Sequence, residues 1–152
     1  NPLLLVVEDL QDPGNLGTMF RTGEGAGIAG VIMDKNTADI YNPKTIRSTM
    51  GSIFRVPFAI ADSPADMIRL LKERRIRVYG AHLAGSVCYD EPDYTEGTAF
   101  LIGNEGNGLT EETAALADQN IRIPMEGRLE SLNAAMAAGI LMYEASRQRR
   151  RK

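Results

Sequence analysis

The sequence predicts an α/β fold, a mostly parallel sheet with helices on both faces, and three observations carry that expectation. Short apolar runs of strand length recur along the chain, helical stretches with an apolar side alternate with them, and turn signals separate the two kinds of segment. Runs that are continuously apolar, rather than alternating, need cover on both faces, which helices laid on a parallel sheet supply.

Leu3–Val7 is the first such run, closed by Glu8, Asp9 and the turn signal Asp12-Pro13-Gly14. Asn15 can cap a helix over residues 15–26, with Leu16, Met19, Phe20 and Gly23 on one side; its glycines make it weak by propensity, so close packing has to compensate. Residues 30–33 read as a second strand, 43–51 as a short helix and 56–60 as a third strand. Ser63-Pro64 opens the next helix, with proline at its first position and Met67, Ile68, Leu70 and Leu71 as its apolar face. Residues 76–82 and Thr98–Ile102 are the fourth and fifth strands. A glycine-rich loop, 103–109, then runs into a helix over 110–118, and 121–125 is a sixth extended segment. In the last helix Leu132, Ala135, Met136, Gly139, Ile140 and Tyr143 recur at spacings of three and four, with Ser131 as its expected N-cap.

At 152 residues, with no internal repeat and no shift of composition, the chain reads as one domain with one core. Hydrophobic residues at 43% and charged residues at 24% exclude disordered, collagen-like and membrane classes. No apolar run approaches the roughly 18 residues of a membrane span and no leader pattern opens the chain, so the cytoplasm is the expected compartment. One cysteine, Cys88, and one histidine, His82, leave nothing spaced for a disulfide framework or zinc; no metal is expected, and neither residue is assigned a catalytic role.

The net charge of −3 argues against a domain that grips nucleic acid by charge alone. The charges are uneven, however. Arg147, Arg149, Arg150, Arg151 and Lys152 crowd the end of the chain, and Arg69, Lys72, Arg74, Arg75 and Arg77 cluster earlier. The basic end reads either as a solvated helix terminus, where cations suit the negative end of the dipole, or as an RNA contact.

Ligands of open parallel sheets collect beyond the carboxyl ends of strands, so the loops there are where chemistry is expected. One is Asp12-Pro13-Gly14-Asn15-Leu16-Gly17, with Arg21 following; a second is Gly103-Asn104-Glu105-Gly106-Asn107-Gly108; the third is residues 123–133. The second loop resembles a phosphate cradle, but it lacks the Lys-Ser/Thr pair of a Walker loop, and Glu105 would repel a polyphosphate. Gly14 and Gly17 are spaced wrongly for a dinucleotide fingerprint, so a ligand with little negative charge fits better. Asn15 and Arg21 together suit a sugar-phosphate backbone; alternatively Asn15 caps its helix and Arg21 pairs with Glu24 or Glu105.

With these loops in view, the sequence resembles the SpoU family of RNA ribose 2′-O-methyltransferases, in the knotted SPOUT class, over essentially its whole length. The first motif of that family appears as Asn15-Leu16-Gly17-Thr18-Met19-Phe20-Arg21, the second as Gly103-Asn104-Glu105-Gly106-Asn107-Gly108-Leu109, and the third as Ile123-Pro124-Met125, Gly127 and Ser131-Leu132-Asn133. The resemblance implies a C-terminal deep trefoil knot, with S-adenosylmethionine bound bent against it. Apolar Ile123, Met125 and Leu132 would flank the adenine, backbone groups near Gly103 and Ile123 would read its edge and the ribose, and Leu83 would add another wall.

It also implies Arg21 as the catalytic arginine and an RNA ribose 2′-hydroxyl as the substrate. Arginine is a residue that stays protonated, so its expected part is to orient the hydroxyl and adjacent phosphate and to stabilise alkoxide character, with Asn15 and Glu105 fixing the geometry. Ser131 and Asn133 would organise the knot and a phosphate-facing rim, and Arg47 is a further candidate for RNA contact. Family members are homodimers whose sites draw on both chains, and many carry a separate N-terminal RNA-binding domain, which these residues do not contain. The function implied is methylation of ribosomal RNA, with transfer RNA as the alternative substrate and a catalytically silent RNA-binding or assembly subunit as the alternative class.

Overall fold

The computed structural model describes residues 1–84 and 87–151, and Lys152 of the basic run lies outside them. The strands are β1 (Leu3–Val7), β2 (Gly30–Asp34), β3 (Phe58–Ala61), β4 (Arg77–Ala81), β5 (Val87–Cys88), β6 (Thr98–Ile102) and β7 (Gln119–Arg122). They form one sheet in the order β3-β2-β1-β6-β4-β7-β5, and every pairing in it is parallel. The helices are α1 (Pro13–Ala26), α2 (Pro43–Ser48), α3 (Pro64–Glu73), α4 (Glu111–Leu116) and α5 (Ala134–Arg150), with a 3-10 turn at Ser52–Phe54.

The unbroken apolar strands are explained by two cores, one on each face. Leu3, Leu5 and Val7 of β1 point with Tyr79 and Phe100 into a core closed by Leu16, Met19 and Phe20 of α1 and Ala138, Leu141 and Met142 of α5. Val6, Val78, Ala99 and Leu101 point the other way, onto Met67, Ile68 and Leu71 of α3 and Ala114 of α4. The period of two thus survives inside strands that read as nearly continuous apolar runs.

Local chemistry moved several boundaries from their expected places. The N-cap of α1 is Asp12, not Asn15: its carboxylate accepts from the amides of Gly14 at 2.7 Å and Asn15 at 3.1 Å, and Pro13, which has no amide to satisfy, takes the first helical position. α2 ends at Ser48 because Met50 and Gly51 adopt left-handed backbone, at φ 50 and 88, which no continuing helix tolerates. The third strand is shifted to Phe58–Ala61, beyond Pro57, which has no amide for the ladder. In the last helix Asn133 is the cap, accepting from the Met136 amide at 3.1 Å, and Ser131 lies in the loop before it. β7 ends before Pro124 and begins two residues earlier than expected, at Gln119. α4 is shorter than expected, with Thr110 as its cap and Ala117 already extended. β5 has two residues, too few for periodicity to reveal.

The basic end of α5 is not simply a solvated terminus. The Arg149 guanidinium donates to the carbonyls of Asn1 at 2.7 Å, Pro2 at 3.3 Å, Tyr94 at 2.9 Å and Glu96 at 2.7 Å, clamping the helix to the start of β1 and the loop before β6. Partial burial of this group lowers its pKa from the ordinary arginine value, with Glu96 opposing the shift. Among the described residues no helix is long and apolar enough to cross a membrane, and no group of His, Cys, Asp and Glu could hold a metal ion.

Candidate active site

The chain turns back between β1 and β6, so the crevice beyond their carboxyl ends is the place where an open α/β sheet receives a ligand. Three loops meet there. Glu8, at the tip of β1, is 6% exposed, and its carboxylate accepts from the Thr110 amide at 2.8 Å and from the Thr110 and Thr113 hydroxyls, anchoring the start of α4. Asn104 donates to the Asp9 carbonyl at 2.9 Å and accepts from the amides of Gly106 and Asn107, while Asn104 and Gly108 exchange backbone bonds of 3.1 and 2.8 Å. The turn so formed lies directly on Gly103: a β-carbon there would stand 2.2 Å from both Gly108 C and Leu109 N. Only glycine fits this approach.

A cavity of about 850 Å³ opens beside that turn, beyond the ends of β4, β6 and β7. It is lined by Leu83, Gly103, Ile123, Met125 and Leu132, the whole of the expected cofactor set, and by Glu105 and Ser131. Its size is that of a small-molecule site, and its walls are mainly apolar with a few polar groups, as such sites require. Its lining carries three carboxylates, Glu105, Glu111 and Glu130, against one guanidinium, Arg122, a balance that suits a ligand carrying positive charge better than a polyphosphate.

Glu105 also acts as a strut. Its carboxylate accepts from the amides of Gln11 at 2.9 Å and Asp12 at 2.8 Å, tying the second loop to the first. Asn133 performs the matching task for the third loop, since its side-chain amide donates to Asn15 Oδ1 at 3.1 Å while its own oxygen caps α5. The site residues of all three motifs are thereby brought into register across more than a hundred positions of sequence.

Arg21 stands apart. It lies exposed on α1, at a separate cavity of about 390 Å³ with Glu24, Gly25, Thr49, Met50, Ser52 and Arg55, and does not line the larger one. Neither ion pair considered for it forms: Glu24 is taken by Arg55 at 2.5 Å, and Glu105 is engaged by loop amides. Among the described residues Arg21 has no ion-pair partner. Arg47 is exposed on α2 and lines neither cavity.

Three further residues of the lining, His82, Glu111 and Glu130, lie outside the site set that the sequence predicts. His82 lines the cavity, accepts from the Ala84 amide through Nδ1 at 3.1 Å and faces Glu111 across 3.7 Å through Nε2. Its place immediately after β4 was the available signal, because the rule for strand ends applies to it as it does to Leu83.

Residues 2–143 match the SpoU rRNA Methylase family. The chain belongs to that family. It is 41% identical over 140 residues, 92% of its length, to the 23S rRNA (guanosine(2553)-2′-O)-methyltransferase RlmP of Bacillus subtilis, covering 56% of that protein. It is 39% identical over 142 residues, 90% of its length, to the 23S rRNA (uridine(2479)-2′-O)-methyltransferase of Streptomyces viridochromogenes, covering 50% of it. The chain thus spans about half the length of the curated relatives it matches.

Among solved structures, the SpoU methyltransferase AviRb of Streptomyces viridochromogenes in complex with AdoMet superposes with a TM-score of 0.93 at 36% identity, over 99% of this chain and 62% of that one. An AdoMet-bound rRNA methyltransferase of Sinorhizobium meliloti gives 0.92 at 42% identity, over 97% and 56%. A structure described by its 2-OH methylation of C/U34 on tRNA gives 0.88 at 31% identity, over 99% of this chain and 97% of that one. These similarities place the SpoU catalytic fold on the whole of the sheet and its helices.

Proposed function

We propose that this SpoU domain transfers a methyl group from S-adenosylmethionine to a ribose 2′-hydroxyl of RNA, acting on ribosomal RNA. The observation that carries the reading is the cavity bounded by the second and third motifs, with the first motif locked to both through Glu105 and the Asn133–Asn15 bond. The lining fits the cofactor: the Gly103 turn admits a close backbone approach, Leu83, Ile123, Met125 and Leu132 give apolar walls, and the carboxylates favour a cationic sulfonium. When bound, S-adenosylmethionine supplies the electrophilic methyl group.

The rest falls to the chain. Arg21 orients the 2′-hydroxyl and the neighbouring phosphate and offsets the negative charge that grows on the oxygen, while Asn15 and Glu105 hold the loop that carries it. Ser131 and Asn133 form the RNA-facing rim, with Arg47 as an outer contact. In this reading residues 123–133 pass through an earlier loop as a trefoil knot, and RNA grip comes partly from a further, N-terminal RNA-binding domain of the kind the longer relatives have room for.

Because Arg21 does not line the cavity of its own chain, the reading places it beside the cavity of a second copy, in a homodimer. The exposed apolar side chains Met136 and Tyr143 of α5, 61% and 45% open, give that contact its surface. Transfer RNA is the second reading of the substrate, favoured by the likeness to the C/U34 tRNA structure over nearly all of that chain.

The test is calorimetric titration with S-adenosylmethionine, solution mass, and tritium transfer to ribosomal and transfer RNA, for wild type and Arg21→Ala. Saturable binding by a dimer of both proteins, with transfer by wild type alone, is expected. A folded wild type that binds no cofactor at millimolar concentration would overturn the reading, as would Arg21→Ala turnover within a few-fold of wild type.

A further inference from the structure

α2 lies directly on α1 because Gly17 has no side chain; a β-carbon there would stand 2.4 Å from Ser48 Cβ and 2.5 Å from the Thr45 carbonyl oxygen. Along the line where these elements meet, cations are set out in order. Lys44 is at one end, its Cε 3.5 Å from where a β-carbon of Gly14 would be. Arg21 stands in the middle, at the cavity with Thr49, Met50 and Ser52. Arg55 closes the other end, its Nε bonded to Glu24 at 2.5 Å. The span from Gly14 to Glu24 is about 15 Å of helix, room for a short run of nucleotides.

Arg55 uses only one of its N–H donors on Glu24, so the outer edge of its guanidinium remains available. The Asp12 carboxylate near Lys44 is occupied by helix amides, and no ion pair holds Lys44 among the described residues. Next to these cations the chain presents unusual apolar groups. Phe54 is 85% exposed, and Met50 is both exposed and held at φ 50, a left-handed backbone that an unbranched, non-glycine residue adopts at some cost.

Cations spaced along a groove, with an open aromatic ring beside them, are what single-stranded nucleic acid requires: phosphates take the charges and a splayed base takes the ring. A second protein copy laid on the same groove would have to bury Lys44, which has no carboxylate partner there, and desolvating an unpaired cation is costly.

We propose that the groove between α1 and α2, with the turn at Ser52–Phe54, is a track for the RNA strand, in which Lys44 and Arg55 hold phosphates on either side of the nucleotide at Arg21 and Phe54 stacks on a neighbouring base. The proposal rests on the RNA methyltransferase reading above and assigns that RNA a second surface, outside the cofactor cavity.

The experiment measures binding of a fluorescein-labelled, mixed-sequence single-stranded RNA of about 12 nucleotides to the 152-residue chain and to Phe54→Ala and Lys44→Gln, over a series of salt concentrations. Cofactor affinity and solution mass are read on the same samples. Phe54→Ala should weaken RNA binding about tenfold with an unchanged salt slope. Lys44→Gln should weaken it with a slope shallower by about 0.7, the signature of one lost phosphate contact. Both should bind S-adenosylmethionine and sediment as wild type does. If wild type binds and methylates RNA and both variants match it, the groove is not the track while the methyltransferase reading stands. If Phe54→Ala halves the mass, the surface belongs to a second copy and the proposal fails. A wild type that binds the cofactor but no RNA at any salt concentration overturns the track, while tritium transfer to RNA, read separately, decides the methyltransferase reading.

Discussion

The most direct test of the site's architecture is one methyl group, Gly103→Ala. The added carbon would lie 2.2 Å from Gly108 C and Leu109 N and 2.4 Å from Gly108 O, against 3.4 Å for ordinary contact, so something must retreat by about 1 Å. No side chain can rotate away, because every close atom is backbone. Either β6 shifts within the centre of the sheet, or the 104–108 turn opens and loses its paired backbone bonds of 3.1 and 2.8 Å. Overpacking of this kind costs about 2 kcal/mol, which for a domain of this size lowers Tm by roughly 4–8 °C.

The same displacement moves a wall of the larger cavity, so S-adenosylmethionine affinity should fall at least about tenfold, the equivalent of 1.4 kcal/mol. Gly127→Ala is the control: it lies in the third motif, but a β-carbon there meets nothing within 4 Å, and it should leave both quantities near wild type. Thermal unfolding by circular dichroism and cofactor titration read the two effects. A Gly103→Ala protein with the melting temperature and cofactor affinity of Gly127→Ala would refute the argument from close approach.

Asn133→Ala removes both the cap of α5 and the bond to Asn15, and should cost about 1 kcal/mol in urea unfolding; Asn133→Asp keeps the cap and loses only the bond, so its stability should stay near wild type while methyl transfer falls. Glu105→Gln should speed hydrogen exchange at the Gln11 and Asp12 amides about tenfold, read by NMR; unchanged exchange at those amides would show that the strut carries no load. Hydrogen bonds from Arg147, with burial opposing and Gln148 assisting, hold the Glu144 carboxyl below the usual carboxylate range. A carboxyl depressed in the folded state stabilises above its unfolded pKa and ceases to do so as pH falls through the folded value. Arg147→Gln should therefore be less stable than wild type at neutral pH, and the two should converge below about pH 4 in pH-resolved urea unfolding.

The parts of this fold that were legible in the sequence are those set by burial. Leu3–Val7 and Thr98–Ile102 are recovered to the residue because the first is apolar throughout, the second is apolar after Thr98, and the two stand side by side in the centre of the sheet. Where polar groups decide, element boundaries depart from the apolar pattern. Gln119 and Asn120 belong to β7 although neither is apolar, since Asn120 bonds to the Ala114 carbonyl at 3.1 Å and the segment pairs with β4. Asn15 and Ser131 have the chemistry of helix caps, yet Asp12 and Asn133 lie where the backbone presents free amides, and a pattern of good capping residues cannot say which of two neighbours is nearer. The cavity lining, by contrast, came from motif resemblance and not from periodicity. Nothing in the spacing of Leu83, Gly103 and Leu132 announces that they face one space.

What unites the polar motif residues is that most of them act as fasteners within the chain before they can act on a ligand. Glu8 fixes the start of α4, Asn104 and Glu105 fasten the second loop to the first, and Asn133 fastens the third loop to Asn15. Each bond joins segments remote in sequence across the same edge of the sheet, where the strands end and their hydrogen bonding can no longer hold the backbone. A parallel sheet leaves its loops loose at that edge, and a ligand site there needs them fixed to within fractions of an ångström. Carboxylates and side-chain amides that accept from, or donate to, the backbone of a neighbouring loop meet this need with few residues. Arg21 is the exception, exposed on α1 and, among the described residues, without an ion-pair partner. A guanidinium whose charge no neighbouring carboxylate offsets attracts a phosphate or a developing oxyanion more strongly than one already paired, as Arg55 is with Glu24.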